Sequence, residues 1–341
     1  MSTASTTSAV SRGFPLVVLA ALCWGTSGVS ARIVTDRTDL GPLDIAWHRM
    51  AVGAAVLLAG YLLTRHRRPS SAVPLTRPLA VRLGLVGAGL AAYQLAFFAA
   101  VEEAGVSVST LVALGLAPLL IALGAAALGH GRPDRATLVT LAVALVGLGL
   151  LVGLTAGASA GTAVLLGALL ASGSALGYAV VTLAGGGVPA GVPVTLTGFV
   201  GGALLLTPVA LAAGLRLTTE PVALATLLYL GVVPSAVAYA LFFRGLQTVP
   251  GAVAGIVTLL EPVTATALAT VVLGERLPLG ALAGGVLVLA AVAGLYLRRP
   301  AVAEHEAEAV AEHEAEALAV AEHEAEALAV AEHEALAEPH G

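Results

Sequence analysis

The stretch LLEPVTATALATVVLGERLP, residues 259–278, has a second version earlier in the chain. That version, at residues 114–133, is LGLAPLLIALGAAALGHGRP. Each stretch places a proline after apolar residues, continues with a long apolar run and ends with Leu-Gly before a polar turn. The two differ in charge, because Glu261 precedes the later proline and Ala117 precedes the earlier one. The pair therefore indicates an internal repeat with an unmatched carboxylate, Glu261, beside the proline of its later copy.

The composition indicates a membrane protein. Of the 341 residues, 58% are hydrophobic and 11% are charged, whereas a soluble domain has roughly 25% charged residues. The chain has one cysteine, Cys23, so an intramolecular disulfide is excluded.

Long apolar runs recur along the chain. About 20 apolar residues in a helix cross a bilayer core, and these runs are too long and continuous to be strands of a membrane barrel. The sequence thus predicts an all-α integral membrane protein with ten transmembrane helices, numbered here as spans 1–10. A short loop at Glu102 and Glu103 is expected between spans 3 and 4. The runs begin near Phe14, Leu43, Leu79, Gly105, Ala136, Ala163, Pro193, Val222, Pro250 and Leu279.

The repeat divides the membrane part into two halves. FFAAVEEAGVSVSTLVALGLAP starts at Phe97, and FFRGLQTVPGAVAGIVTLLEP starts at Phe242. Because each half has five spans, an odd number, the halves are expected to cross the membrane in opposite senses. Inverted repeats are typical of secondary transporters, which bind substrate near the midplane between the halves. The predicted segments are a disordered N-terminus (1–12), two five-helix repeats (13–155 and 156–299) and an acidic tail (300–341).

The arginines predict the orientation. With the N-terminus in the cytoplasm, most arginines outside the spans fall on the cytoplasmic side, which is the usual bias of membrane proteins. We therefore expect a multi-pass protein of the plasma membrane with both termini in the cytoplasm. The arginines on the opposite side would be Arg32, Arg37, Arg216 and Arg276.

The tail repeats Glu-His-Glu and contains no arginine. One interpretation is a solvated segment without defined structure. The other is weak binding of divalent metal ions by histidines flanked by glutamates. Its negative charge argues against a nucleic-acid partner.

Three stretches resemble a known family: ALCWGTSG (21–28), PLDIAWHRMAVGAAVLL (42–58) and the block 229–297, above all its Glu-Pro and Leu-Gly-Glu-Arg. They resemble the ten-helix EamA-type members of the drug/metabolite transporter superfamily, over about residues 14–298. The resemblance implies two inverted five-helix halves and export of small metabolites such as amino acids. The first half departs from the pattern at LGHGRP, where His130, Gly131 and Arg132 replace Glu-Arg, and the tail lies outside it.

Two charged side chains fall well inside the predicted spans. Glu261 lies near the membrane centre, where an acid costs about 2.5–3.5 kcal/mol, so it should face a cavity or a partner. It could bind a substrate amine or a proton, or it could accept bonds from backbone groups that the adjacent proline frees.

Arg49 lies in span 2 and has three interpretations. Its guanidinium could bind a substrate carboxylate, act as counter-ion to Glu261 or Asp44, or extend toward the membrane interface. Asp44 is expected at the interfacial start of span 2, and Glu275 and Arg276 are expected to cap span 9 or form a salt bridge at its end.

Polar aromatic residues occur at related places in the two halves. Tyr93 and Tyr239 both precede a Phe-Phe pair, in the equivalent spans 3 and 8. Such rings could line a metabolite cavity or pack between helices, as could Ser27. The predicted substrate-binding set is Trp24, Arg49, Tyr93, Gln94, Tyr178, Tyr239 and Glu261.

These features predict a secondary transporter that exports a small metabolite by alternating access, within the lipid bilayer and without a cofactor. The chain has no phosphate-binding loop and no HExxH motif, which argues against ATP as the driver and against an enzyme. The alternative is a metal-responsive membrane sensor or scaffold that uses the His/Glu-rich tail. Transport of a metal cation would call for a cluster of buried acids or histidines, which the spans lack.

Overall fold

The computed structural model describes residues 3–64, 73–129, 133–153, 162–273, 279–280 and 282–295. Residues 10–296 form one compact unit. A second unit comprises residues 1–9 and 297–341. Of this second unit the structure describes only residues 3–9, which are helical. Every regular element in these described ranges is helical, so the prediction of an all-α protein is confirmed.

The described residues contain ten apolar helical segments. Spans 5 and 10 are the shorter segments Arg135–Leu150 and Leu282–Leu295. The other eight are long and apolar enough to cross a bilayer, and in chain order they are Gly13–Thr35, Pro42–Thr64, Arg77–Val101, Ser109–Ala127, Thr162–Gly186, Val194–Ala212, Pro221–Gly245 and Gly251–Val272.

Three of the spans are interrupted. Span 1 consists of helices Thr3–Gly25 and Ser27–Thr35, and span 9 of helices Gly251–Val257 and Leu260–Leu273. Span 8 consists of Pro221–Gly231, a π-helical turn Val232–Val237, and Ala238–Gly245. Spans 2–7 are each continuous within their own bounds, and the helices that contain them are Pro42–Thr64, Arg77–Ala127, Arg135–Gly153, Thr162–Gly186 and Val194–Ala212. Arg77–Ala127 contains both span 3 and span 4.

The π-helical turn in span 8 has a local cause. Pro234 has no backbone N–H, so the carbonyl of Leu230, four residues earlier, lacks its usual helical donor. The hydroxyl of Ser235 donates to that carbonyl at 2.7 Å. The wider π-turn thus places a buried hydroxyl where the proline has removed a backbone bond.

Two sequence predictions differ from the structure. Helix Arg77–Ala127 continues through Glu102 and Glu103, where a loop was expected. Span 6 contacts both ends of this helix, because a Cβ on Gly89 would meet Val181 and a Cβ on Gly124 would meet Leu183. Spans 3 and 4 therefore run antiparallel within it, and the chain reverses between residues 101 and 109.

The expected disorder of residues 1–12 also differs from the structure. The first helix begins at Thr3, so residues 3–12 are helical. These residues include six serines and threonines and two alanines, so residue preference does not favour the helix; a helix that is already nucleated in the span extends at low cost.

Close glycine contacts join spans 3 and 6 in one half-to-half arrangement and spans 8 and 1 in the equivalent one. In span 6, a Cβ on Gly177 would lie 2.8 Å from the Cβ of Tyr93 in span 3. In span 8, a Cβ on Gly245 would lie 2.5 Å from Val17 of span 1. Since span 1 is equivalent to span 6 and span 3 to span 8, these are the same interface formed twice, as an inverted repeat requires.

The interrupted spans pack against one another. A Cβ on Gly25 of span 1 would lie 2.4 Å from the Cβ of Thr264 in span 9. The hydroxyl of Tyr229 in span 8 donates to Thr26 Oγ1, at the break in span 1, over 3.0 Å. Spans 1, 8 and 9 are called the interrupted group, and their equivalents, spans 6, 3 and 4, the continuous group.

The loops between spans 1 and 2 and between spans 7 and 8 are joined by polar contacts. The Asp44 carboxylate, 7% exposed, accepts from the backbone N–H of Gly41 at 2.9 Å and of Arg216 at 3.0 Å. Arg216 Nε also lies 3.5 Å from Asp44 Oδ2. Asp44 thus lies at the start of span 2, but its partner is Arg216, which excludes the interpretation that it is the counter-ion of Arg49.

Candidate functional site

A cluster of aromatic rings lies between the two halves. Trp24 of span 1 has its ring centroid 4.8 Å from that of Tyr239 and 5.2 Å from that of Phe242, both in span 8. Tyr178 of span 6 lies 6.1 Å from Tyr93 of span 3 and 6.0 Å from Phe242. These five rings are called the aromatic cluster.

The aromatic cluster follows the symmetry of the repeat. ALCW, residues 21–24, corresponds to ALGY, residues 175–178, so Trp24 and Tyr178 are equivalent, and their rings lie 6.3 Å apart. Tyr93 and Tyr239, the other equivalent pair, share a hydrogen bond of 2.6 Å between their hydroxyls. Each pair therefore joins the two halves across the axis that relates them.

Three polar atoms near the aromatic cluster are buried without a hydrogen-bond partner among the described residues. They are Trp24 Nε1, Ser27 Oγ and Tyr178 Oη. An unsatisfied buried polar group costs about 1–3 kcal/mol. The region around these three atoms is therefore suited to a ligand that forms hydrogen bonds with them.

Two opposite charges approach this cluster from different halves. Arg49 of span 2 interacts electrostatically with Tyr93, Tyr239 and Glu261. Glu261, in the first turn of the helix Leu260–Leu273, interacts electrostatically with Tyr93 and Tyr178. Both side chains are partly buried. The ion pairs found in the described part of the chain do not include Arg49 with Glu261.

Arg49 has a hydrogen-bond partner in the other half. Its Nε donates to Ser235 Oγ over 3.4 Å, and Ser235 lies in the π-helical turn of span 8. Ser235 was not among the residues predicted from the sequence. The only local signal is its place after Pro234, and its relation to Arg49 depends on contact between spans 186 residues apart.

The structure brings six predicted residues together: Trp24, Arg49, Tyr93, Tyr178, Tyr239 and Glu261. Gln94 is separate. It is 5% exposed, but successive helical residues point about 100° apart, so it does not share the face of Tyr93. Phe242 contacts both Trp24 and Tyr178 and was not predicted, although the repeated Phe-Phe pair marks its position.

Other predictions lie outside the described residues. These include the cap or salt bridge of Glu275 and Arg276, and both interpretations of the tail. Within the described ranges there is no group of three or more His, Cys, Asp or Glu residues that could hold a metal ion.

The chain is similar to known transporters. The protein-family model of the EamA-like transporter family matches residues 11–153 and again residues 164–297, one match in each five-span half. The chain is also 30% identical over 262 residues to the uncharacterized transporter YwfM of Bacillus subtilis (strain 168), covering 76% of this chain and 86% of that protein. A protein crystal structure matches with a TM-score of 0.72 at 22% identity, over 86% of this chain and 99% of the other. At that identity the likeness shows the fold alone.

Proposed function

Because this chain belongs to the EamA-like transporter family, we propose that it exports a small zwitterionic metabolite, such as an amino acid, by alternating access. The membership makes it a membrane transporter with two inverted five-helix repeats, as its sequence resemblance predicted. The class of substrate and the direction of transport are the proposal.

The observation that carries the proposal is the arrangement of Arg49 and Glu261. They come from different halves, interact electrostatically and form no direct ion pair. An amino acid has one group of each charge, so its carboxylate can bind Arg49 and its ammonium group Glu261. Binding both would compensate charges that are costly to keep inside a membrane.

The aromatic cluster supports a substrate site between these charges. Tyr93 interacts with both Arg49 and Glu261, so the rings and the charges belong to one region. Trp24 Nε1 and Tyr178 Oη are buried without partners, and a substrate could satisfy them. We propose Trp24, Tyr93, Tyr178 and Tyr239 as the walls of the site, with Gln94 as a residue that reaches it in another state of the cycle.

The interrupted helices support movement at this site. Transporters commonly bind substrates where spans are discontinuous, because freed backbone groups and altered helix direction lie there. Glu261 directly follows the break in span 9, and the break in span 1 lies beside it. In the proposed cycle the halves rock about the aromatic cluster and open the site to one side at a time.

We further propose that Glu261 couples transport to protons. Its carboxylate can hold either a proton or the ammonium group of a substrate, so release of one permits binding of the other. We propose that both termini of the chain lie in the cytoplasm. A proton gradient across the membrane would then drive export of the metabolite from the cell.

Counterflow in proteoliposomes tests the proposal. Vesicles with purified full-length protein would be loaded in turn with each of the twenty L-amino acids, and uptake of the same labelled amino acid would be followed. We expect accumulation of at least one amino acid above that in protein-free vesicles, and loss of this accumulation in Arg49→Gln.

A matched control uses an arginine outside the site. Arg32 is exposed and paired with Asp36 at 2.9 Å within one helix, so Arg32→Gln should transport like the wild type. If no amino acid accumulates, or if Arg49→Gln transports normally, the zwitterion proposal is wrong.

A further inference from the structure

We propose that Ser235 is a positioning residue that orients the Arg49 guanidinium toward the carboxylate of the substrate. This inference rests on the proposed function, since it assigns a supporting group to the residue that would bind the carboxylate. It concerns a side chain that acts through Arg49.

The Ser235 hydroxyl is fixed in direction by the bond that it donates. Its proton is used in the 2.7 Å bond to the carbonyl of Leu230. The hydroxyl oxygen can therefore only accept a bond from Arg49 Nε. Ser235 is 1% exposed, so water does not compete for that oxygen.

The bond to Ser235 leaves the two terminal nitrogens of the Arg49 guanidinium free. A guanidinium has one Nε proton and four protons on its two terminal nitrogens. With Nε bound to Ser235, the terminal nitrogens remain to form a two-bond contact with a carboxylate, the arrangement in which arginine binds carboxylates best. Arg49 also acts electrostatically on Tyr93, Tyr239 and Glu261, which places the guanidinium in the region of the aromatic cluster.

The first half has no serine at the position equivalent to Ser235. Counting from the paired Tyr93 and Tyr239, Ser235 corresponds to Gly89 and Pro234 to Ala88. Gly89 packs against Val181 in a continuous helix. The π-turn with its serine is therefore a departure from symmetry, located where the arginine of the other half needs an acceptor.

The test compares an amino acid with the amine that lacks its carboxylate. For each L-amino acid that shows counterflow, the KM for uptake would be measured beside that of the corresponding decarboxylated amine, in wild-type, Ser235→Ala and Ser235→Thr proteins. We expect Ser235→Ala to raise the KM of the amino acid about tenfold, because a hydrogen bond to a charged group is lost. The KM of the amine should stay unchanged, and Ser235→Thr, which retains a hydroxyl, should restore the amino-acid KM.

A second comparison separates positioning from general damage to span 8. In an Arg49→Lys background, which keeps the positive charge but has no guanidinium Nε proton, Ser235→Ala should cause no further rise in KM, because the two residues act on one contact. Equal increases for amino acid and amine, or additive effects of the two substitutions, would overturn the inference. A normal Ser235→Ala beside a defective Arg49→Gln would overturn it while leaving the proposed function intact.

A measurement without substrate covers the case in which no amino acid is transported. Labelling of Arg49 by phenylglyoxal would be followed by peptide mass spectrometry in detergent, with exposed Arg244 as the internal reference. Loss of the Ser235 bond should speed labelling of Arg49 at least about threefold. An unchanged rate would overturn the positioning role, whatever the substrate proves to be.

Discussion

The interrupted group and the continuous group occupy equivalent places in the two-repeat fold, yet their backbones differ. Spans 1, 8 and 9 each contain a break, whereas spans 6, 3 and 4 are each continuous within their own bounds, Thr162–Gly186, Arg77–Val101 and Ser109–Ala127. Both groups contribute rings to the aromatic cluster. The difference therefore lies in helix continuity and charge, since Glu261 of the interrupted group replaces Ala117 of the continuous group.

This difference separates two tasks. The equivalent rings hold the halves together in the same way from either side, so symmetry is an advantage for them. In the proposed function, a carboxylate and a broken helix serve one ligand in one orientation, and a second copy would place like charges close together. We infer that substrate chemistry is concentrated in the interrupted group and that the continuous group acts as its support.

The first prediction removes the unmatched charge. Glu261→Gln keeps the size of the side chain, and we expect transport to fall to the level of protein-free vesicles, because no carboxylate is left for an ammonium group or a proton. The assay is uptake in proteoliposomes with and without a proton gradient. Glu103→Gln, at an exposed glutamate, should behave like the wild type. Full transport that still responds to the gradient in Glu261→Gln would eliminate the proton-coupling proposal.

The second prediction disturbs the contact between two interrupted spans. A Cβ on Gly25 would lie 2.4 Å from the Cβ of Thr264 and 2.9 Å from the carbonyl oxygen of Glu261. Gly25→Ala should therefore push spans 1 and 9 apart, with a loss of about 1–3 kcal/mol of stability and of most transport. Thermal denaturation of the purified protein and uptake would measure both effects.

Gly28 in the same span provides the matched control. A Cβ there would meet nothing within 4 Å, so Gly28→Ala should keep transport and should stabilise the helix by about 0.5–1 kcal/mol. If the two alanine variants behave alike, the close packing at Gly25 has no role in function.

The third prediction concerns the bond that the two groups share. Tyr93→Phe and Tyr239→Phe each remove the same 2.6 Å hydrogen bond, so their stability losses should be similar, at about 1 kcal/mol. The double substitution should cost little more than either single one, and a double-mutant cycle by thermal denaturation would measure this coupling. Fully additive losses would mean that the two hydroxyls act independently.

The fourth prediction has the smallest expected effect. Tyr229→Phe removes the 3.0 Å bond to Thr26 at the break in span 1. Tyr229 is 38% exposed, so we expect a loss of no more than about 0.5 kcal/mol and nearly normal uptake. In a Thr26→Ala background the substitution should have no further effect, and a larger loss there would assign Tyr229 another partner.

Composition and periodicity were sufficient to predict most of the fold. Ten spans follow from runs of apolar residues, and the correspondence of Tyr93 with Tyr239 in the two halves follows from the repeated Phe-Phe pair. The reversal between spans 3 and 4 was predicted, but the helical backbone at Glu102 and Glu103 was not, because polar residues between apolar runs suggest a loop.

The candidate site was predictable by residue type and only partly by geometry. A buried acid and a buried arginine are unusual enough in a span to be recognised individually. Their partners depend on contacts between distant parts of the chain, so Ser235 was missed beside Arg49, and Asp44 was considered for Arg49 although it pairs with Arg216. Gln94 adjoins Tyr93 in sequence, but the helix directs it elsewhere.

The bond between Tyr93 and Tyr239 has a further consequence. In the proposed cycle each half adopts the conformation that its counterpart held, so any contact between non-equivalent positions is exchanged for the copy related to it by the two-fold axis. The Trp24–Tyr239 centroid distance of 4.8 Å and the Tyr178–Tyr93 distance of 6.1 Å would trade places. The bond between Tyr93 and Tyr239 joins two equivalent positions, so the two-fold exchange converts it into itself. It can therefore persist through the cycle while the other contacts between the halves change.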